Sequence, residues 1–160
     1  MTPLARRDIP TPLGPLTLVA DEESLLGAYF ADHRRRPELD AVAAPDSHAV
    51  LEKAAAAFEA YFSGEAADVP VDDVAPGTPF QRDVWQSLRA IPAGETRTYA
   101  QIAQALGRPS ATRAVAGAIG RNPLTIAVPC HRVIGADGSL TGYAGGVDRK
   151  RWLLAHERGA

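Results

Sequence analysis

The first apolar runs of the chain, Leu16-Thr17-Leu18-Val19-Ala20 and Leu25-Leu26-Gly27-Ala28-Tyr29-Phe30, are separated by the polar tetrad Asp21-Glu22-Glu23-Ser24. Short apolar runs with a polar break of that length predict a β-hairpin. His33-Arg34-Arg35-Arg36-Pro37 follows as a solvated loop, with His33 and His48 read as surface residues. The period then changes: Val50, Leu51, Ala54, Ala57, Phe58, Tyr61 and Phe62 recur at helical spacing. Asp46 or Ser47 serves as N-cap of this helix and Gly64 as its C-terminal stop. Residues 68–78, rich in Asp, Val, Pro and Gly, read as an extended strand and then a linker. This places a domain boundary near residue 75, between an N-terminal domain (1–75) and a C-terminal domain (76–160).

The second half is predominantly helical in pattern. Thr78 caps a helix whose apolar stripe is Phe80, Val84, Trp85 and Leu88. Thr98 caps a second helix, Gln101 completing a capping box, with Tyr99, Ile102, Ala103 and Leu106 inward. After the turn Gly107-Arg108-Pro109, Ser110 caps a third helix that runs to Gly120. Two short helices joined by a glycine-containing turn predict a helix-turn-helix, whose second helix is the recognition element. Ala111, Val115, Ala118 and Ile119 of that helix face inward, while Arg113, Ala116, Gly117 and Gly120 leave the opposite side nearly bare. A glycine inside a helix costs about 1 kcal/mol relative to alanine, a cost tolerated where a partner must come close to the backbone. A thin face with one long cation suits a narrow DNA groove, and it also suits tight packing of one helix on another. Leu124-Thr125-Ile126-Ala127-Val128 reads as a short buried strand, 136–139 as a turn and 142–146 as a flexible loop. A last helix starts at the N-cap Asp148 and runs to about Glu157, with Trp152, Leu153 and Ala155 inward.

Composition narrows the class. At 160 residues, 46% hydrophobic and 22% charged, the chain is an ordinary globular protein with no membrane-length apolar run. The N-terminus has no apolar stretch of signal-peptide type, and a single reduced cysteine suits the cytoplasm. The charge is divided. Residues 1–78 contain 6 Lys and Arg against 14 Asp and Glu (net −8), whereas 79–160 contain 11 against 5 (net +6). A basic half joined to an acidic one fits a polyanion-binding face, here DNA, as well as a merely solvated surface.

Cys130 is the only cysteine, so neither an internal disulfide nor a cysteine zinc cluster is available to it. It stands just past the predicted strand 124–128, behind Pro129, and is followed directly by His131. Histidine is the usual partner that takes a thiol proton. Adjacent side chains on an extended chain point apart, so contact between the two requires a turn or a bridging water.

The segment PCHRVIGADGSLTGYAGG resembles the active-site region of the O6-alkylguanine-DNA alkyltransferases, the methylated-DNA–protein-cysteine methyltransferase family. The likeness is specific from Thr78 to Glu157 and weaker before that. It implies an α+β protein, with a small ribonuclease-H-like sheet-and-helix domain followed by a winged-helix or helix-turn-helix-like domain. It also implies irreversible, single-turnover transfer of an alkyl group from flipped O6-alkylguanine in double-stranded DNA to Cys130, with no cofactor. By the same resemblance Glu157 orients His131, and Asn122 ties the recognition helix to the active-site strand. Arg113 fills the space of the flipped base, and Tyr99 turns the nucleotide and donates to the purine. Ser110, Ala114 and Gly117 join Arg113 and Tyr99 at the DNA surface, while Val133, Tyr143, Ala144 and Gly145 line the guanine pocket. Ala116 departs from the family, many members having glycine there, and the cysteines of the zinc-bearing members are absent, so no metal is expected. The resemblance suggests a monomer in solution; clustering on DNA and the choice among methyl, larger adducts and O4-alkylthymine stay open. A non-enzymatic lesion binder is disfavoured by Cys130, and a regulator by the lack of any additional module. A cysteine hydrolase is disfavoured by the lack of its signatures.

Overall fold

The strand β2 (Leu16–Ala20) is buried at every position because both of its neighbours and a helix cover it. In a computed structural model describing residues 3–71, 77–140 and 142–159, β1 (Ala5–Ile9), β2 and β3 (Leu25–Phe30) form an antiparallel sheet in the order β1-β2-β3. The hairpin β2–β3 pairs Leu16 with Phe30 and Leu18 with Ala28. Its turn is fixed by Asp21, whose carboxylate accepts the amides of Glu23 and Ser24 at 2.8 and 2.7 Å. β1 is an element that the apolar pattern did not reveal. Its middle residues are polar, and only Ala5 and Ile9 are buried.

Helix α1 (Ala49–Ser63) packs on this sheet through Leu51, Ala54, Ala55, Phe58 and Tyr61. Its N-cap is His48, not Asp46 or Ser47: the ring Nδ1 accepts the Leu51 amide at 3.3 Å. His33, expected at the surface, is buried beside Tyr29. Gly64 ends the helix at φ 86°, a left-handed geometry that favours glycine. The strand expected after residue 68 does not form in the described residues 68–71, and the boundary expected near residue 75 lies outside the described residues.

In the second half, α2 (Pro79–Arg89), α3 (Tyr99–Ala105) and α4 (Thr112–Gly120) pack on one another. Thr78 and Thr98 both close reciprocal capping boxes, with Gln81 and Gln101. Trp85 Nε1 donates to Ala118 O at 2.8 Å and pins α4 to α2. α4 begins later than expected. Ala111 is its N-cap without a side-chain bond, and Ser110 lies exposed in the preceding turn. Two-residue strands β4 (Arg97–Thr98) and β5 (Val133–Ile134) pair in parallel. α5 (Val147–Glu157) starts from Gly146, so Asp148 is inside the first turn and is not its cap. Leu153 and Leu154 are its buried apolar residues, together with Lys150.

The two halves share one apolar core that runs from Ala5 to Leu153. The outer edge of β3 is covered by the second half, where Ala28 donates to Pro123 O at 2.8 Å. Arg149 strengthens this seam: it lies 4.3 Å over the Phe30 ring and donates to Leu13 O, Asp32 and Gly145 O. Among the described residues, no helix is long and apolar enough to cross a membrane.

Candidate active site

The apolar run 124–128 is a tight turn and not a strand, and Asn122 is what folds it. Asn122 Oδ1 accepts the Leu124 amide at 3.0 Å, while Nδ2 donates to Val128 O at 2.8 Å. Inside the loop so clamped, Ile126 is held at φ 72° and is 2% exposed. A β-branched residue in that region is strained by about 1–3 kcal/mol, a cost set against its full burial and the three bonds of Asn122. An apolar pattern reports burial, and here burial occurs without extension.

Pro129 leads from this turn into a 3-10 turn, Cys130–Arg132, that Val133 closes by donating to Cys130 O. Cys130 is 7% exposed, and the side chains of Asn122 and Thr125 hydrogen-bond its thiol. Burial pushes the Cys130 thiol up from its ordinary pKa, while the hydrogen bonds of Asn122 and Thr125 and the Lys150 charge oppose this only in part. The resting sulfur is therefore a protonated thiol. His131 does not lower it by direct contact; the histidine points the other way, toward Glu157.

His131 Nε2 lies 2.7 Å from Glu157 Oε2, with both side chains buried. Burial alone would raise the Glu157 pKa, yet hydrogen bonds from His131, Arg132 and Tyr61 hold it at about 2. An ionised carboxylate only accepts, so Nε2 carries the proton of this bond. Burial lowers the His131 pKa, with Glu157 opposing, and the ring rests neutral. Its Nδ1 is buried and has no hydrogen-bond partner among the described residues. The ring is thus polarised by a carboxylate on one side and has a lone pair on the other, the arrangement of an oriented base.

Arg132, 1% exposed, grips the same carboxylate from Nε (2.8 Å) and Nη2 (2.9 Å) and bonds Ile91 O at 2.7 Å. A further ion pair, at 2.9 Å, reaches Asp68. Lys150 is also fully buried: its Nζ donates to Val133 O at 2.5 Å, and burial lowers its pKa to about 8. Arg132, Lys150, Thr125 and Tyr61 were not singled out from the sequence. Arg132 stands within the PCHR run and could have been found there. Tyr61 falls in the apolar stripe of α1, and Lys150 hides between two arginines.

The remaining residues singled out from the sequence divide into two groups. Tyr99 is half-buried beside Cys130, and its hydroxyl faces Gly142, where an added Cβ would lie 2.7 Å away. At φ 88°, Gly142 is required by backbone as well as by space. Tyr143 is buried, hydrogen-bonded to Thr125, with its ring 6.5 Å from His131 edge-on. Val133 is buried and both its backbone groups are engaged, by Cys130 O and Lys150 Nζ. Ala144 O and Gly145 O accept from Arg34 N (3.0 Å) and Arg149 (2.9 Å), so the loop is tethered to the first half. By contrast, Arg113, Ala114 and Ser110 are exposed on or before α4 and Gly117 is half-buried; none bonds to the thiol cluster. Two cavities, of about 280 and 580 Å³, lie elsewhere, between α1 and the start of β3 and between α2 and α3.

The chain belongs to the 6-O-methylguanine DNA methyltransferase family: residues 6–72 match its ribonuclease-like domain and 79–159 its DNA binding domain. Among its relatives, the methylated-DNA–protein-cysteine methyltransferase of Salmonella typhimurium is 48% identical over 98% of this chain and 97% of its own. The protein of the same name from Methanosarcina acetivorans is 47% identical, over 92% of this chain and 94% of its own. The crystal structure of Mycobacterium tuberculosis OGT in complex with DNA superposes with a TM-score of 0.87 at 42% identity, covering 97% of this chain and 93% of that one.

Proposed function

We propose that this chain repairs alkylated DNA by transferring an alkyl group from O6-alkylguanine in duplex DNA to Cys130 Sγ, once per molecule. The observation that carries the reading is a lone buried thiol beside a neutral histidine whose far nitrogen is held by an ionised, fully bonded glutamate. The thiol proton passes, through a water, to His131 Nδ1. The sulfur–carbon bond then forms as the carbon–O6 bond breaks. The purine keeps that electron pair and gains one proton, delivered from Tyr99, equal in number to the one the thiol lost. A thioether has no ready hydrolytic exit, which supports a single turnover.

Chemistry on a base edge needs the base outside the stack. The pair α3–α4 acts as the helix-turn-helix that approaches DNA, Arg113 entering the stack from the exposed face of α4, with Ser110, Ala114 and Gly117 beside it. Tyr99, Val133 and the 142–146 loop then receive the turned-out guanine. Asn122, at the end of α4, joins that helix to the turn that carries the thiol. The protein works as a monomer in a reducing cytoplasm, where a single thiol stays reduced. Incubation with duplex DNA containing O6-methylguanine should add one methyl mass to the peptide holding Cys130, and none to Cys130→Ser. A methylated Cys130→Ser protein, or an unmodified wild type, overturns the reading. The same assay with O4-methylthymine defines the substrate range.

A further inference from the structure

Helix α1, from the first half of the chain, places one hydroxyl inside the thiol–histidine–glutamate cluster. Tyr61 is 1% exposed, and its OH donates to Glu157 Oε2 at 2.7 Å. That is the oxygen which also takes His131 Nε2, at the same 2.7 Å. Burial first, and then the Glu157 charge, hold the Tyr61 hydroxyl far above its ordinary pKa, so it remains a donor at every working pH. Arg132 Nη2 bonds the same oxygen at 2.9 Å, so three donors divide its electron density, and each weakens the pull that the others feel.

We propose that Tyr61 is a positioning residue for alkyl transfer: by sharing Glu157 Oε2 with His131, its hydroxyl sets how readily His131 Nδ1 accepts the thiol proton. The proposal rests on the role of His131 as base given above. The surroundings of His131 make the setting consequential. Arg132 and Lys150 are cations that disfavour protonation of the ring, and Glu157 favours it. Arg132 is itself paired to Asp68, and Cys130 and Tyr143 face the cluster from the 3-10 turn and the 142–146 loop. His156 lies against Tyr61, 5.2 Å between ring centroids, and its Nε2 is 2.7 Å from Tyr61 O. All of these groups persist when Tyr61 loses only its hydroxyl, so Tyr61→Phe isolates one donor. Without it the charge on Oε2 is less shared and Glu157 draws harder on Nε2–H. The imidazole then becomes more basic.

The test follows the His131 ring by nitrogen NMR in the full chain with labelled histidine. In Tyr61→Phe the protonation midpoint of His131 should move to higher pH, its proton affinity rising roughly threefold to tenfold, the scale of the net contribution of an ordinary hydrogen bond. The acid limb of the pH profile for methyl transfer at saturating duplex should move the same way, with duplex affinity unchanged. A hydroxyl that only joins the two halves would lower stability and leave both midpoints where they were, which overturns the proposal. Should Tyr61→Phe fail to fold, a 3-fluorotyrosine installed at Tyr61 alone keeps the shape and strengthens the donor. The His131 midpoint must then move to lower pH, and an unmoved midpoint overturns the proposal equally. If wild type leaves Cys130 unmethylated, the alkyl-transfer reading fails separately, since the His131 titration is read without any substrate.

Discussion

Glu157 accepts four hydrogen bonds, two from Arg132 and one each from His131 and Tyr61. That saturation is why a carboxylate 1% exposed stays ionised, its pKa depressed from 4.5 to about 2. A depressed carboxylate contributes stability that is fully present above pH 4.5 and is lost as pH falls toward 2. The shift corresponds to about 3 kcal/mol. Glu157→Gln should therefore be less stable at pH 7 by about 3–5 kcal/mol, because it leaves the buried Arg132 short of a counter-charge. Denaturant unfolding at descending pH checks this: the gap between wild type and Glu157→Gln should narrow between pH 4.5 and 2. A gap that stays constant across that window would mean that the carboxylate is not the titrating group. The role of this residue was legible in the sequence only through the family resemblance. No spacing rule indicated that Tyr61, far earlier in the chain, would meet it.

At the scale of elements, what was legible in the sequence was whatever local chemistry decides. The hairpin β2–β3, the N-cap at Thr78, the capping box at Thr98 and the Gly64 stop all formed where short-range bonds predict them. What was not legible depends on partners distant in sequence. The run 124–128 is apolar enough for a strand, but β3 already offers it one bridging position, Ala28 to Leu124, and Asn122 folds the remainder back on itself. β1 has polar middle residues and is a strand only because β2 lies beside it. Lys150 looks like a surface cation in a run of three, yet it is buried with Val133 O as an acceptor. α4 presents Arg113 and Ala114 to solvent and buries Val115, Ala118 and Ile119, so its outward side is thin. Arg113→Ala should accordingly slow methyl transfer from duplex DNA far more than transfer from a free O6-substituted guanine, measured as single-turnover rates. Equal losses on both substrates would place Arg113 in the chemistry or the fold.

Over the whole molecule, the division of charge into −8 and +6 halves survives folding as a division between a sheet-and-helix half and a helical half that share one core. If the +6 half neutralises about six phosphates, raising salt from about 50 to about 200 mM should cost roughly a thousandfold in duplex affinity through counterion release. The rate at saturating duplex should hardly change, and the reaction with a free O6-substituted guanine should depend on salt only weakly. A similar salt slope for both substrates would remove DNA from the basic half. The covered, protonated state of Cys130 bears on how long the protein can wait. Peroxides and stray electrophiles attack exposed thiolates. A cysteine that is 7% exposed and uncharged at rest offers them little, and in the proposed reaction it becomes reactive only when His131 takes its proton and a carbon is held in line. If each molecule reacts once, as proposed above, this latency sets its shelf life: copies made long before any lesion arises remain fit to meet it.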